Sequence, residues 1–325
     1  MDVSDIPSVD SRLRLGDRLG RWRMRWSIGR GRYRVEPGLY RIGRPGPASP
    51  VLVTASYKLT FDTLRSELDG VDAWILVLET RGVNVWCAAG KGTFGTDELV
   101  NRVAATRLTE VVSHRKLVVP QLGATGVAAH EVKRRCGFRV VYGPIRAADL
   151  KAFLGRRMRA SEEMRRVTFT LGERAELVGA ELAGALKWGL PVLLLALLLT
   201  GSEWTLGSLG AVLPVLAGLL AGSVLVPILL PWIPGRAFSL KGALVGAVAV
   251  GAAIALTPTD TSSLATVQLL LLGTAAASFF AMQFTGATTF TSPSGVEWEM
   301  RRALPFQLGA VVIAAAIGLW RLVIG

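Results

Sequence analysis

Hydrophobic and polar positions change rhythm once along this chain, near residue 175. Up to about Arg174, short apolar runs alternate with segments of helical period; beyond Leu177 the runs lengthen toward 20 residues, separated by brief polar links. In the first half "PVLVTASY", "AWILVLET", "KLVVP" and "FRVVYG" read as strands. "AWILVLET" is the near-continuous apolar run expected of a strand covered on both faces. Between them "TFDTLRSELDG" reads as a helix opened by Thr60 and closed at Gly70, and "TDELVNRVAATRL" as one with Thr96 as N-cap. "GVAAHEVKRRC" and "RAADLKAFL" supply two more helices. Strands alternating with helices imply a parallel sheet with crossover helices, a small doubly wound, Rossmann-like α/β domain.

The second half holds five apolar stretches near the length needed to cross a bilayer: Leu182–Thr200, Leu209–Leu230, Gly242–Thr257, Leu264–Phe284 and Leu304–Ile324. The third is short and rich in small residues, a composition suited to close helix packing. The expected division is a basic arm over 1–48, an α/β domain over 49–165, a linker over 166–181 and a five-helix transmembrane domain over 182–325.

Composition supports this division. Of 325 residues, 51% are hydrophobic, and the mean hydropathy of +0.43 excludes an ordinary soluble domain. The formal net charge is +13, and arginines crowd the N-terminal stretch "RLRLGDRLGRWRMRWSIGRGRYRV". Three readings compete for it: an arm on the membrane surface, a nucleic-acid contact, or a solvated face that packs Trp22 and Trp26 on the domain. In a membrane protein such a segment lies against anionic headgroups, at about 1 kcal/mol per charge. No nucleic-acid fold signature accompanies it, so nucleic acid is not an expected partner.

Loop charges set an orientation. Arg236 and Lys241 follow the second stretch, and Arg301 and Arg302 precede the fifth; "GSEWTLGS" and "TPTDTSS" carry no basic residue. This places the N-terminal domain in the cytoplasm and the C-terminus outside, across the cell's inner membrane. The span centres hold essentially no ionisable residues, so the helices read as an anchor, with a homodimer through them as a candidate assembly. "FTGATTFTSPSGVEWEM", Phe284 to Met300, reads as a long loop on the inner side.

In a doubly wound sheet ligands bind beyond the carboxyl ends of the strands. The segments there are "TASYKLT", "TRGVNVWCAAGKGTFG", "PQLGATG" and "GPIRAA". Three carry glycines leading into helices, which suits one large polar cofactor approaching backbone; glycines that only make tight turns are the alternative. The second segment holds Cys87, one of two cysteines, the other being Cys136 near a helix end. "AAGKG" is not a phosphate loop, because Val85 and Gly92 stand where GxxxxGK[ST] needs Gly and Ser or Thr. Metal-cluster ligation lacks a second nearby cysteine. A Cys–His pair with His114 or His130 stays open. A fourth option is a thiolate donated axially to a metal already held by a macrocycle, which needs one protein ligand only. Neither histidine fits the Asp-x-His-x-x-Gly signature of histidine-held cobalamin: Val112 and Leu117 flank His114, and Ala128 and Lys133 flank His130.

"NVWCAAGK" resembles the signature of the mercury-methylating corrinoid (HgcA-type) family, membrane relatives of the large subunit of the corrinoid iron–sulfur protein of the acetyl-CoA pathway. "VLVTASYKLTFDTLR", "VVSHRKLVVPQLGATGVAAH", "GPIRAADLKAFL" and "FTGATTFTSPSGVE" also look like segments of that family, in the same order. The resemblance implies a cobamide cofactor under a cap helix built from Asn84, Val85, Trp86, Ala88, Ala89, Gly90 and Lys91, with Cys87 as the axial ligand of cobalt. Ala and Gly would press flat against the ring. Thr60, Thr93, Gln121, Gly123, Gly143 and Arg146, from strand-end segments, are the further pocket candidates. The implied activity is methyl transfer to Hg(II), because a soft thiolate opposite the methyl group favours its delivery as a carbanion equivalent. A corrinoid methyl carrier of one-carbon metabolism is the alternative. The iron–sulfur relative's four-cysteine motif is missing here, so the implied electron donor is a separate ferredoxin-like protein with two 4Fe–4S clusters (HgcB-type). A methyl donor is also required, and no residue identifies it. Cys136 reads as a structural thiol.

Overall fold

A computed structural model describes residues 5–200, 209–257, 262–288 and 293–324. The chain forms two compact units, one of residues 1–24 and 28–168, the other of 25–27 and 169–325.

The first unit is built on a six-stranded sheet. Its strands are β1 (Ser8–Val9), β2 (Gly38–Ile42), β3 (Val51–Ala55), β4 (Ala73–Leu78), β5 (Lys116–Val119) and β6 (Arg139–Tyr142), in the order β1-β2-β4-β3-β5-β6. β4, β3, β5 and β6 run parallel, as expected. β3 and β4 are buried at every position. Alternate side chains feed two cores: Val51, Val53, Trp74 and Leu76 go to one face, and Leu52, Ile75 and Val77 to the other.

The expectation of a purely parallel sheet needs correction at one edge. β2 pairs antiparallel with β4, and β1 lies parallel beside β2. Both strands come from the residues read as a basic arm, so the fold begins before residue 49. Leu39 and Ile42 face the cores while the edge of β4 gains a covering strand.

Helices follow each parallel strand: α1 (Leu15–Arg25) precedes the sheet core, α2 (Lys58–Ser66) follows β3, and α3 (Val85–Gly90), α4 (Thr96–Ala105) and α5 (Leu108–Val111) follow β4. α6 (Ala129–Cys136) follows β5 and α7 (Leu150–Gly155) follows β6. Two expected boundaries move. α2 starts at Lys58, two residues before Thr60, and ends at Ser66 rather than Gly70. Gly95, not Thr96, caps α4; the Thr96 hydroxyl instead accepts the Ala128 N–H at 2.9 Å.

The early start of α2 has an electrostatic cause. Lys58 Nζ donates to Asp17 Oδ1 (2.6 Å) and Asp62 Oδ2 (2.7 Å), and Arg65 bonds Asp62 Oδ1 (2.7 Å) and Asp17 Oδ2 (2.8 Å). Asp62 is fully buried, so its charge requires these partners. Arg65 also donates to the carbonyls of Asp10 (2.6 Å) and Arg12 (3.2 Å). Two acids and two bases thereby fasten α1 and the chain before it onto α2.

The second unit is helical: α8 (Leu171–Thr200), α9 (Leu209–Leu220), a π turn (Ala221–Leu225), α10 (Val226–Leu229), α11 (Phe238–Leu256), α12 (Ser263–Gln283) and α13 (Pro293–Ile324). Among the described residues four segments are long and apolar enough to cross a membrane: Val212–Leu229, Phe238–Leu256, Ser263–Gln283 and Ser294–Arg321. The expected first span, Leu182–Thr200, falls in α8 and is not one of these four. The expected short third span is a full helix that starts at Phe238. Lys241, read as a loop charge, sits inside it, buried, donating to the carbonyls of Leu230 (2.9 Å) and Ile233. The expected loop from Phe284 to Met300 is also shorter: Phe284–Ala287 is a 3-10 turn and α13 begins at Pro293, with 289–292 outside the described residues. Small residues do bring helices together, since a Cβ on Gly246 would lie 2.3 Å from the Ala277 methyl.

Burial would raise the pKa of Asp17, but hydrogen bonds from Lys58, the Arg14 amide and Arg65 outweigh it and bring the value from 3.8 down to about 2. A lowered folded-state pKa stabilises above the unfolded value, and that stability is lost as pH falls from about 4 to 2. Its size is about 2 kcal/mol. Thermal unfolding of the detergent-solubilised chain should therefore weaken through that window. Asp17→Asn should start less stable at pH 6 and lack that step; an unchanged acid profile would remove Asp17 from this role.

Candidate functional site

The parallel strands order as β4-β3-β5-β6, so the chain turns first to one side of β3 and then to the other. The topological switch point is the crevice between β3 and β5, beyond their carboxyl ends, where doubly wound sheets bind ligands. α3 leaves β4 and packs on the end of β3 and on the 3-10 turn Gln121–Gly123 that follows β5. It therefore lies at that crevice.

Six residues do not make a stable helix alone, so α3 is held from outside. Asn84 is its N-cap: the side-chain Oδ1 accepts the Cys87 N–H at 2.8 Å. At the other end the Ala88 carbonyl accepts the N–H groups of Thr93 (3.0 Å) and Phe94 (3.1 Å). Val85, Ala88 and Ala89 are buried in the domain core. The approach to the β5 loop is close. A Cβ on Gly126 would lie 2.1 Å from the Phe94 carbonyl and 3.2 Å from the Ala89 methyl, and one on Gly123 would lie 2.5 Å from the Phe94 ring.

The loop entering α3 is held as firmly. Ser56 Oγ accepts the Thr80 amide (3.1 Å) and the Gly82 amide (3.3 Å), Thr80 Oγ1 donates to the Val83 carbonyl (2.7 Å), and the Glu79 amide donates to Glu98 (2.8 Å). Ser56 and Thr80 are buried, and Arg81 and Gly82 both take left-handed backbone at φ 56° and 70°.

What remains outward is Trp86, Cys87, Gly90 and Lys91. Cys87 is half-buried and the other three are exposed. This revises the expectation that the alanines press on a flat ring: Ala88 and Ala89 face the protein interior, and Cys87 and Gly90, one turn apart, share the outward side. A Cβ on Gly90 or Gly92 would meet nothing within 4 Å.

The other candidates divide. Gln121 and Gly123 lie in the turn against α3, with Gln121 Oε1 accepting from Arg165. Thr93 closes α3, its hydroxyl 3.4 Å from the Ala88 carbonyl. Gly143 is packed under β5, where a Cβ would lie 3.0 Å from Val118, and Arg146 bonds Thr168. Thr60, expected in a strand-end loop, is inside the first turn of α2. Gly126, Phe94 and the Ser56–Thr80 pair support α3 and its entering loop without standing in any motif; the second glycine of "GATG" is their one visible trace in the sequence.

His114 stands before β5, at the amino end of the strand, its Nε2 bonded to the Ser49 carbonyl (2.8 Å) and its Nδ1 accepting the Lys116 N–H (3.2 Å). With both ring nitrogens engaged at the opposite edge of the sheet, His114 is no base for Cys87. His130 is solvent-exposed beside Glu131. Cys136 donates to the Val132 carbonyl at 3.2 Å and packs on the core. Among the described residues no three His, Cys, Asp or Glu side chains group to hold a metal ion.

Residues 29–154 match the protein family described as CO dehydrogenase/acetyl-CoA synthase delta subunit. Curated relatives carry the name acetyl-CoA decarbonylase/synthase complex subunit gamma. Those of Archaeoglobus fulgidus and Methanopyrus kandleri are 36% and 35% identical over 122 residues, which is 37% of this chain and 26% of theirs. That of Methanocaldococcus jannaschii is 33% identical, covering 37% of this chain and 25% of its own. The chain thus spans about a quarter of the length of these relatives. The similarity falls on the α/β unit and takes in β2 to α7, with all of α3.

The Gly126 contact is testable. Gly126→Ala should cost about 1–3 kcal/mol, because the opposing atom is backbone and cannot swing away. Gly90→Ala, in open space, should change stability by less than about 0.5 kcal/mol. Equal thermal transitions for the two variants would contradict the close approach.

Proposed function

We propose that the α/β unit is a corrinoid-binding module that carries a methyl group, attached to a membrane by the apolar helices that follow. One observation carries this reading: the single outward thiol, Cys87, stands at the switch point in the stretch shared with subunits of acetyl-CoA decarbonylase/synthase complexes. The donor set fits the group. A corrinoid brings four nitrogen donors of its own, so one soft side chain would be enough, and here one is presented. When bound, the corrinoid supplies a cobalt centre able to take up a methyl group and pass it on.

The chain's own residues then have distinct tasks. Cys87, as thiolate, would be the side chain that holds the cobalt. Asn84 caps α3 by accepting the Cys87 N–H and so holds the backbone that carries the thiol. Gly90 and Gly92 leave backbone open to a large ring, and Gln121 with the Gly123 turn borders the same crevice. Trp86 and Lys91 flank the thiol on the solvent side. Two cysteines cannot build a four-thiolate cluster, so electrons would come from a separate ferredoxin-like protein with 4Fe–4S clusters. In this reading the α/β unit is cytoplasmic and five helices cross the membrane, Leu182–Thr200 being the first.

A second, finer reading makes Hg(II) the methyl acceptor. What favours it is the cysteine itself within "NVWCAAGK", because a thiolate is a soft, electron-rich donor, and a metal held by it would suit methyl transfer to a soft electrophilic ion.

Anaerobically purified protein should show the visible absorption of a corrinoid, and Cys87→Ala should alter that spectrum while retaining the cofactor. A colourless protein after reconstitution with cobamide would end the proposal. An identical spectrum would remove Cys87 as ligand. With methyl-loaded protein, methylmercury formed on adding Hg(II) by wild type and lost at least 100-fold in Cys87→Ala would support the second reading; no methylmercury from wild type would leave the carrier reading alone.

A further inference from the structure

α1 turns Gly20 and Met24 toward its own domain and keeps a second apolar side at the surface. At 100° per residue, Gly20, Met24 and Asp17 fall in an arc of about 60° that faces the protein. Gly20 and Met24 are buried, and the Asp17 carboxylate is held by Lys58 and Arg65. Leu15, Leu19 and Trp22 fall in an arc of about 60° on the opposite side. They are 76%, 62% and 57% exposed. Arg18 and Arg23 sit about 40° beyond either edge of that stripe. Both are exposed, as is Arg14. Asp17 is the one acidic residue of the helix, and it points inward, so the outward side carries only apolar and cationic groups.

We propose that this face of α1 docks on an anionic lipid surface, with Leu15, Leu19 and Trp22 entering the headgroup boundary and Arg18 and Arg23 on lipid phosphates. An apolar stripe edged by arginines on a short helix is the composition of an interfacial helix, and its charge is complementary to acidic lipid.

The inference does not depend on the corrinoid reading, and its test leaves the visible spectrum aside. Full-length chain with p-benzoylphenylalanine in place of Leu19 would be placed, one copy per disc, in nanodiscs of phosphatidylglycerol or of phosphatidylcholine. After illumination, mass spectrometry should find a lipid adduct on residues 15–25 in phosphatidylglycerol. The yield should be at least fivefold lower in phosphatidylcholine, and likewise in R18E/R23E. For the unsubstituted arginines, 0.5 M salt should also lower the yield, which guards against misfolding of the double variant. Equal yields in both lipids, adducts to protein or nucleic acid in place of lipid, or no lipid adduct at all would each overturn the proposal.

Discussion

Gly126 and Ala89 meet with no room for a side chain at the glycine, and the position of the candidate site follows from that contact. α3 is too short to hold itself, and its cap and closing hydrogen bonds fix only its two ends. Its rotation about its own axis is set by what it buries. Val85, Ala88 and Ala89 go inward because the β5 loop comes close and takes only small apolar side chains there. Cys87 and Gly90 are outward as a consequence. Had position 126 carried a side chain, α3 would have to lift or turn, and the thiol would leave the crevice. The switch point alone would then hold loops with no donor.

The N-terminal residues show a comparable division of one composition into two uses. Arg65 and Lys58 are drawn inward by Asp62 and Asp17, because a buried carboxylate needs cationic partners. Among the arginines of the N-terminal stretch, Arg14, Arg18 and Arg23 stay in solvent. Charge count alone does not distinguish the groups. What sorts them is the placement of two aspartates, one on α1 and one on α2, whose pairing makes the supposed arm part of the fold and sets which side of α1 faces out.

How much of this was legible in the sequence can be read from particular elements. "AWILVLET" and "VLVTA" announce buried parallel strands because uninterrupted apolar runs have one economical use in an α/β chain, and both are strands. "GLYRI" gave no such signal: five residues with an internal arginine, set in a basic stretch, become a strand only because β4 has an edge to cover. Thr60 and Thr96 are good N-caps by type, but ion pairs pull α2 two residues earlier and the β5 loop claims the Thr96 hydroxyl. Cys87 was found by elimination among chemistries and by resemblance. Which neighbours face it was not legible, since Ala88 and Ala89 suit a ring and a tight core equally well by size.

Both units rely on small residues to bring backbones together, and the reasons differ. In the α/β unit, Gly126 against Ala89 excludes water from a core whose burial is favourable in itself. In the helical unit, Gly242 and Gly246 lie against Ala277, and Gly218 against Gly273. Between helices of membrane composition, lipid would cover apolar side chains as well as a neighbour does, so the gain must come from contact distance. Gly and Ala on both sides are the means of shortening it. The polar groups that remain, Gln307 bonded to Ser278 and Arg321 to Gln268, then add direction to contacts that packing alone leaves free to slide. α12 is thus held to α9 and α11 by close approach, and to α13 by two polar links set apart along its length.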